Sequence, residues 1–303
     1  NTTGNGNVAI GYQALTTNVD GDKNTAVGYQ ALETFEADSD GHGSNTAIGY
    51  DAGQAVSTGT GNTIVGASAG DSLQGGDNNI FVGNNAGGAT TAASDIVAIG
   101  AAAAADVLTT DANGTVAIGS SACNATTSGR YNTAIGHETM KLNVIGDQNT
   151  AIGYQALKTF VADSDGHGGN TAVGYQAGTD IGAGTGNTII GASAGDALDG
   201  GDDNVLIGLG AGGATTATSD TVIIGAGAGA ANLTANASGS VLIGHDVAAA
   251  LTSGPSNTAI GDAALNACTT AEGNTAVGFN ALNDVPDGAH NPAMGWKALL
   301  LAN

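Results

Sequence analysis

A hydrophobic three-residue run followed by glycine recurs 17 times along this 303-residue chain, often as Thr-Ala-Ile-Gly or Thr-Ala-Val-Gly. Successive glycines are mostly 17 residues apart, with a few intervals of 19 or 21. A fixed period near 20 residues indicates a solenoid, in which each repeat buries its apolar face by stacking on its neighbours. The repeated glycines are Gly11, Gly28, Gly49, Gly66, Gly83, Gly100, Gly119, Gly136, Gly153, Gly174, Gly191, Gly208, Gly225, Gly244, Gly261, Gly278 and Gly295.

A second period of 125 residues lies above the first, so that the series of intervals starting at Gly28 begins again at Gly153. The sequences of the two copies also match: Asp-Ser-Asp-Gly-His-Gly at 38–43 recurs at 163–168. We therefore predict a single β-solenoid over 1–303. It comprises a seven-coil module at about 12–136, its copy at about 137–261 and a partial repeat at 262–303. We interpret the chain as part of a longer array.

The run before each glycine predicts a β-strand, because it is short, rich in β-branched residues and bounded by Gly, Asn and Asp. Alternation places its first and third residues on one face and its middle residue on the other. We expect the third residue, such as Ile152, to line the core of the coil. The middle residue, Ala in 11 of 17 coils, would then face another copy of the chain. A parallel sheet with two apolar faces is normally covered on both sides.

Asparagine stands four residues before the glycine in 13 of 17 coils. Identical Asn side chains in stacked strands can hydrogen-bond to one another along the axis. We predict a structural ladder that binds no partner, formed by residues that include Asn24, Asn45, Asn62, Asn149, Asn170 and Asn187.

Aromatic residues follow the glycine in several coils, including Tyr12, Tyr29, Tyr50, Tyr154 and Tyr175. Stacked aromatic side chains on one face of a solenoid favour packing between coils or between chains. Sugar binding is the alternative interpretation.

The composition limits the classes of partner that the chain is expected to bind. Five Lys and Arg residues against 27 Asp and Glu give a net charge of −22, which argues against nucleic acid and anionic membranes. No run of 18 apolar residues occurs, so no membrane insertion is expected. The cysteines, Cys123 and Cys268, are too far apart in the coil order to form a disulfide, and Cys268 is expected in a loop.

The two 21-residue coils carry acidic expansions, at 34–43 and 159–168, which we expect to be exposed loops. Carboxylates at alternate positions followed by Gly are typical of the first half of a calcium loop. The candidate calcium ligands are Asp38, Asp40, Asp163 and Asp165; otherwise these are solvated turns and the chain has no cofactor. His42 and His167 are candidates for receptor contact, and a transition-metal site is the alternative.

No catalytic set, phosphate loop or paired-cysteine motif is present in the sequence, so we predict that the chain is not an enzyme. The Gly-x-Gly strings, such as 225–229, have no strand–turn–helix pattern around them.

Two segments resemble the repeats of tail-fibre-like proteins of phages and bacteria. They are 24–32, Asn-Thr-Ala-Val-Gly-Tyr-Gln-Ala-Leu, and 149–157, Asn-Thr-Ala-Ile-Gly-Tyr-Gln-Ala-Leu. They are also similar to the head repeats of trimeric autotransporter adhesins, whose period is somewhat shorter. The resemblance covers nearly every coil. It implies a left-handed β-roll assembled as a homotrimer, with attachment as its role.

These observations favour a structural and adhesive fibre segment that presents loops to a receptor, a glycan among the candidates, at the surface of a cell or virion. Two alternatives stay open: an ice-binding solenoid with Thr and Asn columns on a flat sheet, and a calcium-dependent adhesin repeat. Against ice binding, aliphatic residues interrupt the Thr column, and we expect it to share a face with core residues.

Overall fold

The computed structural model describes residues 4–37, 42–106, 108–162, 164, 167–284 and 288–300. It is an all-β parallel β-solenoid with 17 strands of three residues each, as the spacing predicts. Two short 3₁₀ helices, Thr110–Ala112 and Ala235–Ala237, are the helical elements among the described residues. The chain forms two compact units, one of residues 1–149 with 164–166, and one of residues 150–163 and 167–303.

The first unit contains eight strands, one before each repeated glycine. They are β1 (Val8–Ile10), β2 (Thr25–Val27), β3 (Thr46–Ile48), β4 (Thr63–Val65), β5 (Ile80–Val82), β6 (Val97–Ile99), β7 (Val116–Ile118) and β8 (Thr133–Ile135).

The second unit contains the remaining nine. They are β9 (Thr150–Ile152), β10 (Thr171–Val173), β11 (Thr188–Ile190), β12 (Val205–Ile207), β13 (Val222–Ile224), β14 (Val241–Ile243), β15 (Thr258–Ile260), β16 (Thr275–Val277) and β17 (Pro292–Met294).

Within each unit every strand pairs in parallel with the next one along the chain, with equivalent residues opposite each other. Thr25 lies opposite Thr46, and Ala26 lies opposite Ala47, although these two coils are 21 residues apart. The extra residues of the long coils are therefore taken up in the turns, and the strand register is unchanged. One coil per strand is the direct consequence of the glycine period.

The assignment of the two strand faces from the sequence is wrong. The middle residue of β2 through β16 is fully buried, whether it is small, as Ala151 is, or large, as Phe81 is. The residue before the glycine faces outward instead, and Ile152 is 38% exposed. The first residue of the strand shares that outward face, so the Thr column is not on the core side. The residues of the inner face and those of the outer face are all apolar or β-branched. Alternation alone therefore does not distinguish one face from the other.

The core of each coil is thin, and two positions share its volume. Where the middle strand residue is Ala26, the residue four past the glycine is Leu32, and both are fully buried. Where it is Phe81, the equivalent position is Gly87, at which an added Cβ would lie 2.7 Å from the ring. All six coils with a large middle residue carry Gly or Ala at the second position: Gly70, Gly87, Gly195, Gly212, Gly229 and Ala248.

The turn after the glycine needs left-handed backbone at residues with side chains. Leu32 and Leu157 both have φ of 49°, a conformation that costs an L-residue about 1–2 kcal/mol. Both side chains are fully buried. Burial of a Leu side chain stabilises by about 1.5–3 kcal/mol, which offsets that strain.

The described residues of the two expansions are only partly exposed, whereas the sequence predicted exposed loops. Phe35 and Phe160 are fully buried and Glu36 is exposed. Cys268 lies outside the strands, as expected, but its side chain is fully buried in the core. All three lie seven residues past their glycine, in a mostly buried column where apolar residues are mixed with Thr and Asn. The 3₁₀ helices of the 19-residue coils occupy equivalent positions in the two modules.

The glycine column has a steric reason. Gly66 has φ of +140°, and a Cβ there would lie 2.3 Å from the carbonyl oxygen of Gly83 in the next coil. The backbones of successive coils are thus in contact, at a distance that no side chain allows. Most repeated glycines have the same clash with the next one.

We predict that Gly66→Ala lowers the free energy of unfolding by about 3 kcal/mol or more, because it adds both backbone strain and a backbone clash. Gly75→Ala is the matched control, since a Cβ there meets only the Thr58 hydroxyl at 3.4 Å. Urea denaturation followed by circular dichroism measures both. Equal stability of the two variants would contradict the role of the glycine column.

We predict that Ala151→Asp destabilises the chain by several kcal/mol, because it places an unpaired carboxylate in the core. Ile152→Asp, one residue along, should remain folded with near-normal secondary structure, because its side chain faces outward. Amide hydrogen exchange of the flanking coils compares the two. Loss of protection in the Ile152 variant but not in the Ala151 variant would reverse the faces.

Candidate functional site

The outward face of the strands is apolar and carries no charge. Its two columns consist of Thr, Val and Ile, apart from Pro292 and Met294 in β17, and none of these residues is buried. Ile48 is 41% exposed in the first unit and Ile190 is 39% exposed in the second. In a chain of net charge −22, this uncharged strip is a surface that another apolar surface can approach.

The first column of this face repeats with the 125-residue module. Three Thr residues, three aliphatic residues and one Thr follow one another in each copy. They are Thr25, Thr46, Thr63, Ile80, Val97, Val116 and Thr133, then Thr150, Thr171, Thr188, Val205, Val222, Val241 and Thr258. The face therefore alternates between Thr-bearing and fully aliphatic blocks.

Aromatic ladders lie beside the face, one residue past the glycine. Tyr12, Tyr29 and Tyr50 form a stack with ring centroids 5.3 and 5.2 Å apart. Tyr154 and Tyr175 stack at 5.2 Å in the second unit. The rings lie nearly parallel, so an inner ring has aromatic neighbours on both faces, and the ladder stabilises the stacking of coils.

A polar ladder follows the aromatic one. The amide of Gln30 donates to Gln13 at 3.1 Å and to Glu33 at 2.9 Å, and Gln54 donates to Glu33 at 2.8 Å. Asp51, at the position of Gln30 in the next coil, raises the pKa of Tyr50 through its negative charge. Burial likewise raises the pKa of the Asp71 carboxyl.

The predicted Asn residues lie inside the coils and are fully buried. The side chain of Asn45 accepts from the backbone N–H of Asn62 at 2.9 Å and donates to the carbonyl of Gly59 at 2.8 Å. Asn24 accepts from both nitrogens of Asn45, and the bonds recur from Asn132 to Asn149 and from Asn170 through Asn187 to Asn204. These amides thus connect consecutive coils, and several of them, such as Asn45 and Asn187, also satisfy a turn carbonyl.

A second ladder of short polar side chains, six residues before the glycine, was missed in the sequence. Asp77 accepts from the backbone N–H of Thr60 at 2.7 Å, and Asp202 accepts from Thr185 in the same way. Asp147 accepts from the backbone of Arg130 at 2.8 Å and pairs with its guanidinium at 3.1 Å. Part of the acidic charge is therefore structural. The signal was the recurrence of Asp or Ser at this one position.

The predicted calcium ligands Asp38, Asp40, Asp163 and Asp165 lie outside the described residues. His42 and His167 are exposed at equivalent places in the two long coils, each before a glycine whose carbonyl accepts from the next coil. Over the described ranges, no group of three or more His, Cys, Asp and Glu side chains is arranged to hold a metal ion.

Both cysteines are free and buried. Burial raises the pKa of the Cys123 thiol to about 12, so it is protonated and unreactive at neutral pH. In the part of the chain that the structure describes, no helix is long and apolar enough to cross a membrane.

In comparisons with known proteins, no family model and no curated protein matches the chain.

We predict that Asn187→Ala lowers the free energy of unfolding by about 2 kcal/mol, because buried groups of Asn204 and Gly201 lose their hydrogen-bond partner. Asn84→Ala is the matched control, since that side chain is exposed and donates one long bond of 3.3 Å. Denaturant titration of the two variants gives the difference. A similar loss of unfolding free energy at both positions would mean that the buried Asn ladder stabilises the fold no more than an exposed Asn does.

Proposed function

We propose that the chain is a structural and adhesive fibre segment, which associates with copies of itself through the outward face of its strands and presents loops for attachment. The observation that carries the proposal is the apolar, uncharged and exposed character of that face in both units. The other surfaces bear the carboxylates of a chain with net charge −22.

The extent of the face supports association. A three-residue strand is about 10 Å long and its neighbours lie about 4.8 Å away, so each strand presents roughly 50 Å². Eight or nine strands give roughly 400 Å² per unit, comparable to the largest apolar patch of an ordinary soluble monomer. The face of one unit is thus about half of the roughly 800 Å² per partner that a stable interface buries.

Identical chains are the simplest cover for this face, since a copy brings an uncharged surface of the same length and keeps its own carboxylates outside. Three copies are proposed from the resemblance to trimeric adhesin heads. Attachment to a host or other surface receptor is proposed at the long coils, where His42 and His167 are exposed.

The ice-binding alternative has less support. The Asn columns that would order water are inside the coils, and the outward Thr column is interrupted in every module. The outward position of Thr removes one objection to it, but the longest Thr run in the sequence covers four coils, from Thr133 to Thr188.

We expect light scattering on the purified chain to give about three times its mass of 28.8 kDa. Ile99→Glu combined with Ile224→Glu should convert it to a folded monomer, because the two carboxylates would be buried without partners at the interface. Sedimentation and circular dichroism distinguish dissociation from unfolding.

The charge-matched control is Gln74→Glu with Ala214→Glu, two exposed positions away from the strands. It should leave the mass unchanged. A wild-type chain that is a stable monomer without any bound partner would refute the proposal.

A further inference from the structure

The outward face of the strands is not uniform, and its most apolar part recurs in both units. In β5–β7 and in β12–β14, both outward residues of every strand are Val or Ile, and none of them is buried. We call these two sets of three strands the aliphatic blocks. Their outward residues are Ile80, Val82, Val97, Ile99, Val116 and Ile118, then Val205, Ile207, Val222, Ile224, Val241 and Ile243.

The remaining strands from β2 to β16 begin with an outward Thr and are here called the Thr-bearing strands. Thr has nearly the shape of Val, but its hydroxyl needs a hydrogen-bond partner. On the open face that partner is water, and a chain that covers a Thr has to replace it or lose the bond. Covering an aliphatic block breaks no hydrogen bond of the side chains, so it gains more free energy for the same area.

The side chains beside the face differ in the same sense. The stacked rings of Tyr29 and Tyr50 follow β2 and β3, and those of Tyr154 and Tyr175 follow β9 and β10, which are all Thr-bearing strands. Beside the aliphatic blocks every side chain at this position is shorter than tyrosine, so a second chain can approach these strands more closely. The residues are Asn84, Ala101, Ser120, Leu209, Ala226 and His245.

Polar groups border the aliphatic blocks without interrupting them. Asn84 beside the first block donates to the carbonyl of Ala67 at 3.3 Å. Beside the second block, Nδ1 of His245 lies 3.4 Å from a carboxylate oxygen of Asp246 and 3.5 Å from one of Asp262. An apolar centre with a polar rim is the usual composition of a surface that binds another protein.

We propose that the aliphatic blocks hold copies of the chain together, each block lying against an aliphatic block of another copy, and that the Thr-bearing strands contribute little. This inference rests on the proposed function, since it names the residues that make the contact between chains. At about 50 Å² per strand, a block presents roughly 150 Å². Such a small area is sufficient for this role, because a minority of the residues in an interface usually provides most of its binding energy.

The test makes the same substitution in the two kinds of strand. Ile99→Ala with Ile224→Ala shortens one side chain in each aliphatic block. Ile48→Ala with Ile190→Ala is the matched control, since it shortens one side chain of the same outward column in a Thr-bearing strand of each unit. None of these four residues is buried, so neither variant leaves a cavity inside a coil. Sedimentation velocity over a concentration series gives the concentration at which half of the chains are dissociated.

The variant of the aliphatic blocks should raise this concentration about tenfold or more, whereas the control should change it by less than about threefold. A second variant, Val97→Thr with Val222→Thr, keeps the shape of the face and adds only hydroxyl groups. It should also raise the concentration, because those hydroxyls would lose water at the contact. Circular dichroism should show the same secondary structure in all of these chains, since the substituted residues face outward.

The outcomes separate this inference from the proposed function. If the wild-type chain associates and the control weakens association as much as the aliphatic-block variant does, only this inference is overturned, because the whole face then makes the contact. If the wild-type chain associates and no variant has an effect, the contact lies on another surface and both proposals fail. A monomeric wild-type chain refutes the proposed self-association and this inference with it.

Discussion

Contact between the backbones of successive coils at the glycine column is the constraint on which the other features depend. At Gly191 a Cβ would lie 2.3 Å from the carbonyl oxygen of Gly208, so the coils stack at the distance set by main-chain hydrogen bonds. That distance also places equivalent side chains of successive coils next to each other at the remaining positions of the coil. The buried Asn ladder, the Asp and Ser ladder and the stacked tyrosines are three uses of the same register, two for stability and one at the surface.

The thin core adds a second constraint, because side chains from opposite sides of a coil fill the same space. This relation explains which parts of the fold could be predicted. The glycine period and β-branched runs were sufficient for the number, position and pairing of the strands. They were not sufficient for the orientation of the strands, because both faces are apolar. The reciprocal sizes of residues such as Phe81 and Gly87 contained that information, and only the packing shows that the two positions meet.

The candidate sites were predictable to a smaller extent, for physical reasons. Amide ladders and aromatic columns follow from stacking, since an identical residue in each coil meets its own copy. Phe35 and Cys268 could not be placed, because their column contains Phe, Val, Leu, Ile, Ala, Cys, Thr and Asn, which have in common their position and not their polarity.

Core packing between neighbouring coils also limits how such a chain can grow by recombination. A Cβ at Gly70 would lie 2.7 Å from the ring of Phe81, and one at Gly195 would lie 2.5 Å from Leu206, each in the following coil. A coil is therefore matched to its successor, and exchange of single coils would join mismatched volumes. Duplication of a whole block creates one new junction and preserves every internal match. The repeated module has seven coils, so the segment that was duplicated is larger than the single coil that is the structural repeat.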